Sequence, residues 1–305
     1  MHVLLIFLDG VGLGIDQPQA NPFATANFPT LHHLTNGQRW LHQTGLQQTN
    51  RSLFIPTDAT FNIPGRPQSG TGQAAIITGR KIPQIIGEHY GPKPNAATRD
   101  LINQGTIFSE VIHAGKTASL LEAYPPAWHQ SILSGKRLPS SYQQAALQAG
   151  IPLLTADDLR NGNAISGDWT GEGWHTELNY TDIPIITGYQ AGVRLVELSR
   201  QYDFAFFPHW ITDVVGHRGD LNTSIQLIKT FDDVLRGILD TWQDDEGVVI
   251  ITSDHGNIED LSHRKHTKNH VPTVIIGKHK HIFDGIHDIA DITPGIRQVL
   301  KIKTG

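Results

Sequence analysis

The chain has 305 residues, 38% of them hydrophobic and 17% charged, with a formal net charge of −5. That is enough for one large α/β domain or a domain with an insert, and no basic stripe points to duplex nucleic acid. There is no Cys and there are 17 His, so disulfides and thiolate sites are excluded and any metal must bind through N and O.

Residues 3–8, VLLIFL, form a continuous apolar run that Asp9 ends. A run of this kind predicts a fully buried strand. It lacks the basic flank of a signal peptide, and no stretch reaches the roughly 18 apolar residues of a membrane helix. A soluble cytoplasmic protein without a membrane partner is the expectation. Residues 27–34 predict a short helix, the Pro- and Thr-rich stretch 51–68 a loop, and 72–79 a helix bounded by Gly72 and Gly79.

From Arg80 to Thr187 the alternation of strand and helix is lost, and short pieces such as 141–149 are all that read as helical. This predicts an inserted small cap, 81–187, on a discontinuous core of 1–80 and 188–305. The pattern resumes with a helix at 190–200, a strand at 203–207, a helix at 221–242 and strands at 248–252 and 271–276. The long helix carries an apolar stripe of Leu221, Ile225, Ile228, Phe231, Leu235, Ile238 and Trp242. Thr293 and Pro294 read as the N-cap and first residue of a last helix. The expected fold is α/β: a mainly parallel central sheet with helices on both faces.

Ligands on such sheets gather at the carboxyl ends of strands. Asp9 and Asp254-His255 stand at such ends, and Asp213 and His217 lie slightly beyond one. Asp213 and His217 are four apart, which on a helix places both on one face, while Gly216 makes a tight turn equally possible. His266 precedes the last strand, with His263 and His270 as competitors. Ser69-Gly70-Thr71-Gly72 precedes the helix at 72–79, where a hydroxyl would face the positive end of the helix dipole. Spacing alone leaves Ser69 and Thr71 both open as nucleophile. Each motif also has a plainer use, as a capping Asp, a Ser N-cap or a solvated loop pair. The whole set of carboxylates, imidazoles and one hydroxyl is what two close divalent cations would need.

Six segments in order resemble the alkaline phosphatase superfamily, above all cofactor-independent phosphoglycerate mutases and phosphopentomutases. They are LDGVGLG at 8–14, NPFATANFPTL at 21–31, SGTGQAAIITG at 69–79, DVVGH at 213–217, SDHGN at 253–257 and HTKNHVP at 266–272. The resemblance implies Ser69 rather than Thr71 as nucleophile, and His266 rather than His270 as ligand. It implies one ion on Asp213, His217 and His266, and a second on Asp9, Asp254, His255 and the Ser69 hydroxyl. Gln73 departs from the family pattern, which has His there. Asp and His donors fit Mn²⁺ or Zn²⁺ and leave Mg²⁺ admissible.

The resemblance thus implies a phosphoserine at Ser69 and a small phosphorylated substrate. The mutases it points to carry a longer insert with an arginine-rich pocket. The cations of 81–187 are scattered, so a phosphohydrolase is favoured over a phosphomutase with a reduced cap. A nucleotide phosphodiesterase stands third. A non-catalytic metal-binding protein would have lost ligands or nucleophile, and none of the seven residues is missing. Thr71, Arg80, His89 and the stretch 169–174 are the candidate substrate contacts. The sequence gives no oligomeric state.

Overall fold

The computed structural model describes residues 1–303. Its strands are β1 (His2–Leu8), β2 (Gln47–Gln48), β3 (Ser52–Thr57), β4 (Ala118–Leu120), β5 (Ala123–Tyr124), β6 (Leu154–Thr155), β7 (Phe204–His209), β8 (Gly247–Ser253) and β9 (Val271–Ile276). Among the described residues, seven form one sheet in the order β2-β3-β9-β8-β1-β7-β4. β8, β1, β7 and β4 are parallel. β9 runs antiparallel to β8, and β3 antiparallel to β9. The expected α/β architecture holds, with an antiparallel extension on one side.

The pleat sends Val3, Leu5 and Phe7 into one core and Leu4, Ile6 and Leu8 into the other. Both faces are apolar because both are covered. Helices Ser69–Thr78, Ile107–His113, Ser141–Gln148 and Ile292–Leu300 cover the first face. Helices Gly188–Ser199 and Leu221–Thr241 pack on each other over the second. The stripe of the long helix buries Ile228, Phe231, Leu235 and Ile238. Each such side chain contributes roughly 1.5–3 kcal/mol.

Three expectations change. Residues 52–57 are a strand, although 51–68 read as loop. Leu53 and Ile55 enter one core and Phe54 the other, and Pro56 lies opposite Pro272, so neither residue asks its neighbour for an N–H. The last helix starts at Ile292 on Asp291, while the Thr293 hydroxyl donates to Ile76 O at 2.6 Å instead of capping.

The third change concerns 81–187, which is not a separate cap. β4 extends the main sheet beside β7, and Phe108, Val111, Tyr142 and Ala145 join the core of Phe204 and Phe206. Trp169 stacks on Phe207 with ring centroids 4.4 Å apart and is buried. What stands apart is smaller: β5 pairs with β6, and Ala156, Leu159, Trp174 and Ile183 form a satellite cluster. No helix among the described residues is long and apolar enough to cross a membrane.

Candidate active site

Strand register assembles the floor of the site. Leu8 lies across from Ser253 on one side and from His209 on the other. Asp9, Asp254 and Trp210 therefore leave three adjacent parallel strands side by side, about 4.8 Å apart. Helix Ile211–Arg218 begins directly after β7 and carries Asp213 and His217. Gly10 has φ 71°, and a Cβ there would lie 2.7 Å from Asp213 Oδ1. The missing side chain lets that carboxylate close over Asp9.

Ser69 is the first residue of its helix, one turn earlier than the sequence pattern implied. A Cβ at Gly72 would lie 2.8 Å from Asp254 Cβ, so this glycine lets the helix rest directly on Asp254. Ser69 Oγ then falls 3.0 Å from His255 Nε2 and 3.5 Å from Asp9 Oδ1. Thr71 is buried; its hydroxyl lies 3.3 Å from Gln68 O and accepts from Tyr90 N at 3.2 Å. Its own N–H donates to Tyr90 O at 3.0 Å. Among the described residues the N–H groups of Ser69 and Gly70, at the positive end of the helix, have no hydrogen-bond partner.

The seven residues picked from the sequence form one connected cluster. Atoms of Asp213, His217 and His266 lie within 4.8 Å of one another, as do atoms of Asp9, Asp213 and His255. Asp213 thus reaches both sets, where the resemblance gave it to one. Asp254 Oδ2 is 3.6 Å from His255 Nε2. The rings of His255 and His266 stack with centroids 3.7 Å apart.

Proton positions show what this cluster lacks. His217 Nδ1 faces Arg264 O at 3.0 Å, and His266 Nδ1 faces Pro67 O at 2.8 Å. Carbonyl oxygens only accept, so both Nδ1 atoms carry a proton, and in the neutral rings the Nε2 atoms present lone pairs. Those Nε2 atoms face each other at 3.1 Å, with Asp213 oxygens 3.4 and 3.5 Å away. Electron-pair donors converge there with nothing positive between them. Asp254 Oδ2 is buried and has no hydrogen-bond partner among the described residues. Both features fit divalent cations bound through N and O.

The charges say the same. Burial pushes the Asp9 carboxyl above its ordinary range, and burial and then Asp9 push Asp254 well above it. Burial lowers His255, but the carboxylates of Asp254 and Asp9 outweigh it and carry the imidazole up to about 10. Burial, then His255, holds His266 down to about 4.

Several supports were not foreseen. Asn257 Nδ2 donates to Asp213 Oδ1 at 2.7 Å. Gln73 Nε2 donates to Asp9 Oδ2 at 3.2 Å, so the residue that departs from the family pattern orients a floor carboxylate. Trp210 Nε1 donates to the buried Glu122 at 2.6 Å, anchoring the start of the Asp213 helix. Burial raises Glu122 to about 7. Glu259 is buried beneath the loops. A long-range acceptor in a loop carries no period that a sequence can show.

The proposed substrate contacts fare differently. Thr71 is spent on backbone bonds. Arg80 follows the far end of the ten-residue Ser69 helix, about 15 Å along it, and donates to Gln104 Oε1 at 2.8 Å. His89 bonds Thr60 O at 3.1 Å and does not line the cleft over Ser69. Trp169 is core. His263 pairs with Asp260 at 3.5 Å, and His270 is exposed. The cleft, of about 720 Å³, is instead lined by Arg66, Gln68, Ser69, Pro92, Asp213, Val214, His217, Arg218, Arg264, Lys265 and His266.

Residues 189–303 match the family model described as the Metalloenzyme superfamily. In fold the chain is similar to alkaline phosphatases, and in sequence part of it is similar to phosphoglycerate mutases, which supports a metal-dependent phosphoryl-transfer enzyme. It is similar to the 2,3-bisphosphoglycerate-independent phosphoglycerate mutase of Methylobacillus flagellatus, 33% identical over 130 residues, 39% of this chain and 25% of that one. The Nitrosococcus oceani enzyme of that name is 33% identical over 118 residues, 36% and 23% of the two chains. The match thus spans about a quarter of the length of these curated relatives. Among solved structures, PH0037 protein from Pyrococcus horikoshii shares the fold at TM-score 0.57 and 17% identity, over 100% of this chain and 98% of that one. Alkaline phosphatase from the Antarctic bacterium TAB5 does so at TM-score 0.57 and 14% identity, over 99% and 98%.

Proposed function

We propose that this chain is a two-metal phosphohydrolase that releases phosphate from a small ester through a phosphoserine at Ser69. The observation that carries it is the place of Ser69 Oγ, 3.0 Å from His255 Nε2 and 3.5 Å from Asp9 Oδ1, beside two convergent donor sets. Asp213, His217 and His266 would hold one ion. Asp9, Asp254, His255 and Ser69 Oγ would hold the other, with Asp213 close to both. Asp and His donors suit Mn²⁺ or Zn²⁺. Bound there, such ions lower the pKa of an alcohol and offset charge on a phosphoryl group.

The chain's own groups do the rest. His255 and Asp9 fix Ser69 Oγ. The N–H groups of Ser69 and Gly70 are available to phosphoryl oxygens at the helix N-terminus. Ser69 gives up its proton and Oγ bonds phosphorus. The ester oxygen leaves and takes up a proton as the alcohol. Water then attacks the phosphoserine, Ser69 regains its proton and phosphate departs.

Hydrolysis is preferred to mutation because a mutase must keep water from its phosphoserine. Here Ser69 opens onto a cleft whose mouth is made of exposed side chains. The names of the relatives favour the mutase as second reading. Incubation with phosphoglycerates, phosphosugars and a phosphodiester, assaying inorganic phosphate and isomers together, separates them. We expect phosphate equimolar with alcohol from a monoester. Isomer without phosphate would reject the hydrolase, and cleavage of the diester alone would point to a phosphodiesterase.

The ligand scheme has its own test. Asp254→Asn and His266→Ala should each lower the bound metal, read by elemental analysis after dialysis, while the fold persists by circular dichroism. Undiminished metal in both would remove these residues from the ligand set.

A further inference from the structure

Ser69 and Gln73 stand four apart on one helix and so share a face. That face meets a single carboxylate at two points. Ser69 Oγ lies 3.5 Å from Asp9 Oδ1, and Gln73 Nε2 donates to Asp9 Oδ2 at 3.2 Å. Asp9 Oδ1 also lies 3.3 Å from His255 Nε2. The two oxygens of Asp9 therefore differ in their neighbours. Oδ1 faces the hydroxyl and the imidazole, while Oδ2 is capped by an amide N–H.

Packing alone does not account for Gln73. It is 4% exposed, and the residues that follow it on the helix, Ala74, Ala75, Ile76 and Ile77, are apolar and buried. An apolar side chain would fill the same place without burying a polar group. The amide instead brings in Oε1, which is buried and has no hydrogen-bond partner among the described residues. A buried acceptor without a donor is unfavourable. Beside a carboxylate only the NH₂ end of an amide can lie, because carboxylate oxygens accept. Asp9 thus fixes the orientation of Gln73, and what the residue contributes is one N–H on Oδ2.

That N–H has a consequence for a cation held at Asp9. An ion on the side of Ser69 and His255 meets Oδ1, and it reaches Oδ2 only by displacing the amide. Ca²⁺ takes roughly six to eight oxygen ligands and accepts both oxygens of a carboxylate. Zn²⁺ and Mn²⁺ are smaller and need fewer donors, so one carboxylate oxygen serves them. We propose that Gln73 is a positioning residue that restricts Asp9 to a single ligand oxygen and so biases the Ser69 side of the site against Ca²⁺. The nitrogen donor of His255 already disfavours that ion, and the amide adds a second, separable discrimination. The proposal rests on the two-metal reading above and not on the fate of the phosphoryl group. An imidazole N–H can make the same bond to Oδ2, which makes Gln73→His the conservative variant.

The test reads metal binding and needs no turnover. Mn²⁺-loaded protein is titrated with Ca²⁺, and the Mn²⁺ released is followed by the electron paramagnetic resonance signal of the free ion. Mn²⁺ affinity is measured separately by direct titration. Gln73→Leu and Gln73→Met keep the bulk of the side chain and remove the N–H, and circular dichroism checks that each folds. Corrected for any change in Mn²⁺ affinity, the Ca²⁺ concentration that releases half of the Mn²⁺ should fall about tenfold or more in both, the scale on which groups that orient a metal ligand act. In Gln73→His it should return to near the parent value. An unchanged Ca²⁺ requirement in the folded Leu or Met variant overturns the proposal. So does an equal loss of affinity for both ions, which is what damaged packing would give, and so does a Gln73→His protein that fails to restore the preference. A parent protein that binds no Mn²⁺ would sink the two-metal reading, and this proposal with it.

Discussion

Ser69→Ala should lower phosphate release by at least about 10³-fold, the scale on which loss of a nucleophile acts, while fold and metal content stay near those of the parent. Among the described residues, Ser69 Oγ hydrogen-bonds with His255 and Asp9. Gln68 holds the N-cap position and Ala is the better helix former. The stability cost is therefore that of one hydrogen bond, about 1 kcal/mol. Thr71→Ala is the control. It removes bonds to Gln68 and Tyr90, loosens the loop over the helix and leaves the nucleophile in place. Its turnover should fall far less. Brief exposure to labelled ester followed by acid quench should leave phosphate on Ser69 in the parent protein. Full turnover in Ser69→Ala with a dead Thr71→Ala would transfer the nucleophile to Thr71.

Asp9, Asp254 and His255 were legible because a parallel strand announces its own end, whereas Ser69 and His266 were chosen over their competitors by the resemblance. VLLIFL stops at Asp9 and VVIITS at Asp254, and the register that aligns Leu8 with Ser253 puts both carboxylates in one place. What stayed hidden lacks period or contiguity. β3 contains Pro56, which reads as a loop until Pro272 is seen across from it. β4 is three residues paired on one side, too short for alternation, so 81–187 read as an insert although it completes the sheet. The basic residues at the mouth of the cleft come from three segments that each look like ordinary surface. The choice of Arg80 failed for a geometric reason: a helix that starts at the site ends far from it.

The cleft carries two charge systems. The floor gathers carboxylates and imidazoles; burial and then the Asp9 charge raise Asp254, and the Nε2 atoms of His217 and His266 face each other. Burial disfavours the charged forms of Asp9 and Asp254, and cations held there would favour them. The mouth, with Arg66, Arg218, Arg264 and Lys265, has the opposite sign and is exposed.

Glu259→Ala should be the most damaging substitution outside the seven. Glu259 is buried, and both its oxygens are filled. Oε2 accepts from Gly12 N at 3.0 Å and Asn257 N at 2.7 Å, and Oε1 from Thr267 Oγ1 at 2.5 Å and Asn269 Nδ2 at 3.0 Å. One carboxylate thereby pins the three loops that follow Asp9, Asp254 and His266. Its removal strands four donors, at about 1 kcal/mol each. The expected loss is about 4 kcal/mol, or roughly 8 °C in Tm. Because the loops that set the donor geometry are released together, metal affinity should fall about 10–100-fold, as it does when orienting groups behind ligands are lost. Glu259→Gln keeps one acceptor oxygen and should lie between the two. Thermal melts with and without Mn²⁺ read both quantities, and the gap between them should narrow in Glu259→Ala. A variant that melts with the parent and keeps its metal would show that the loops hold their places without this carboxylate.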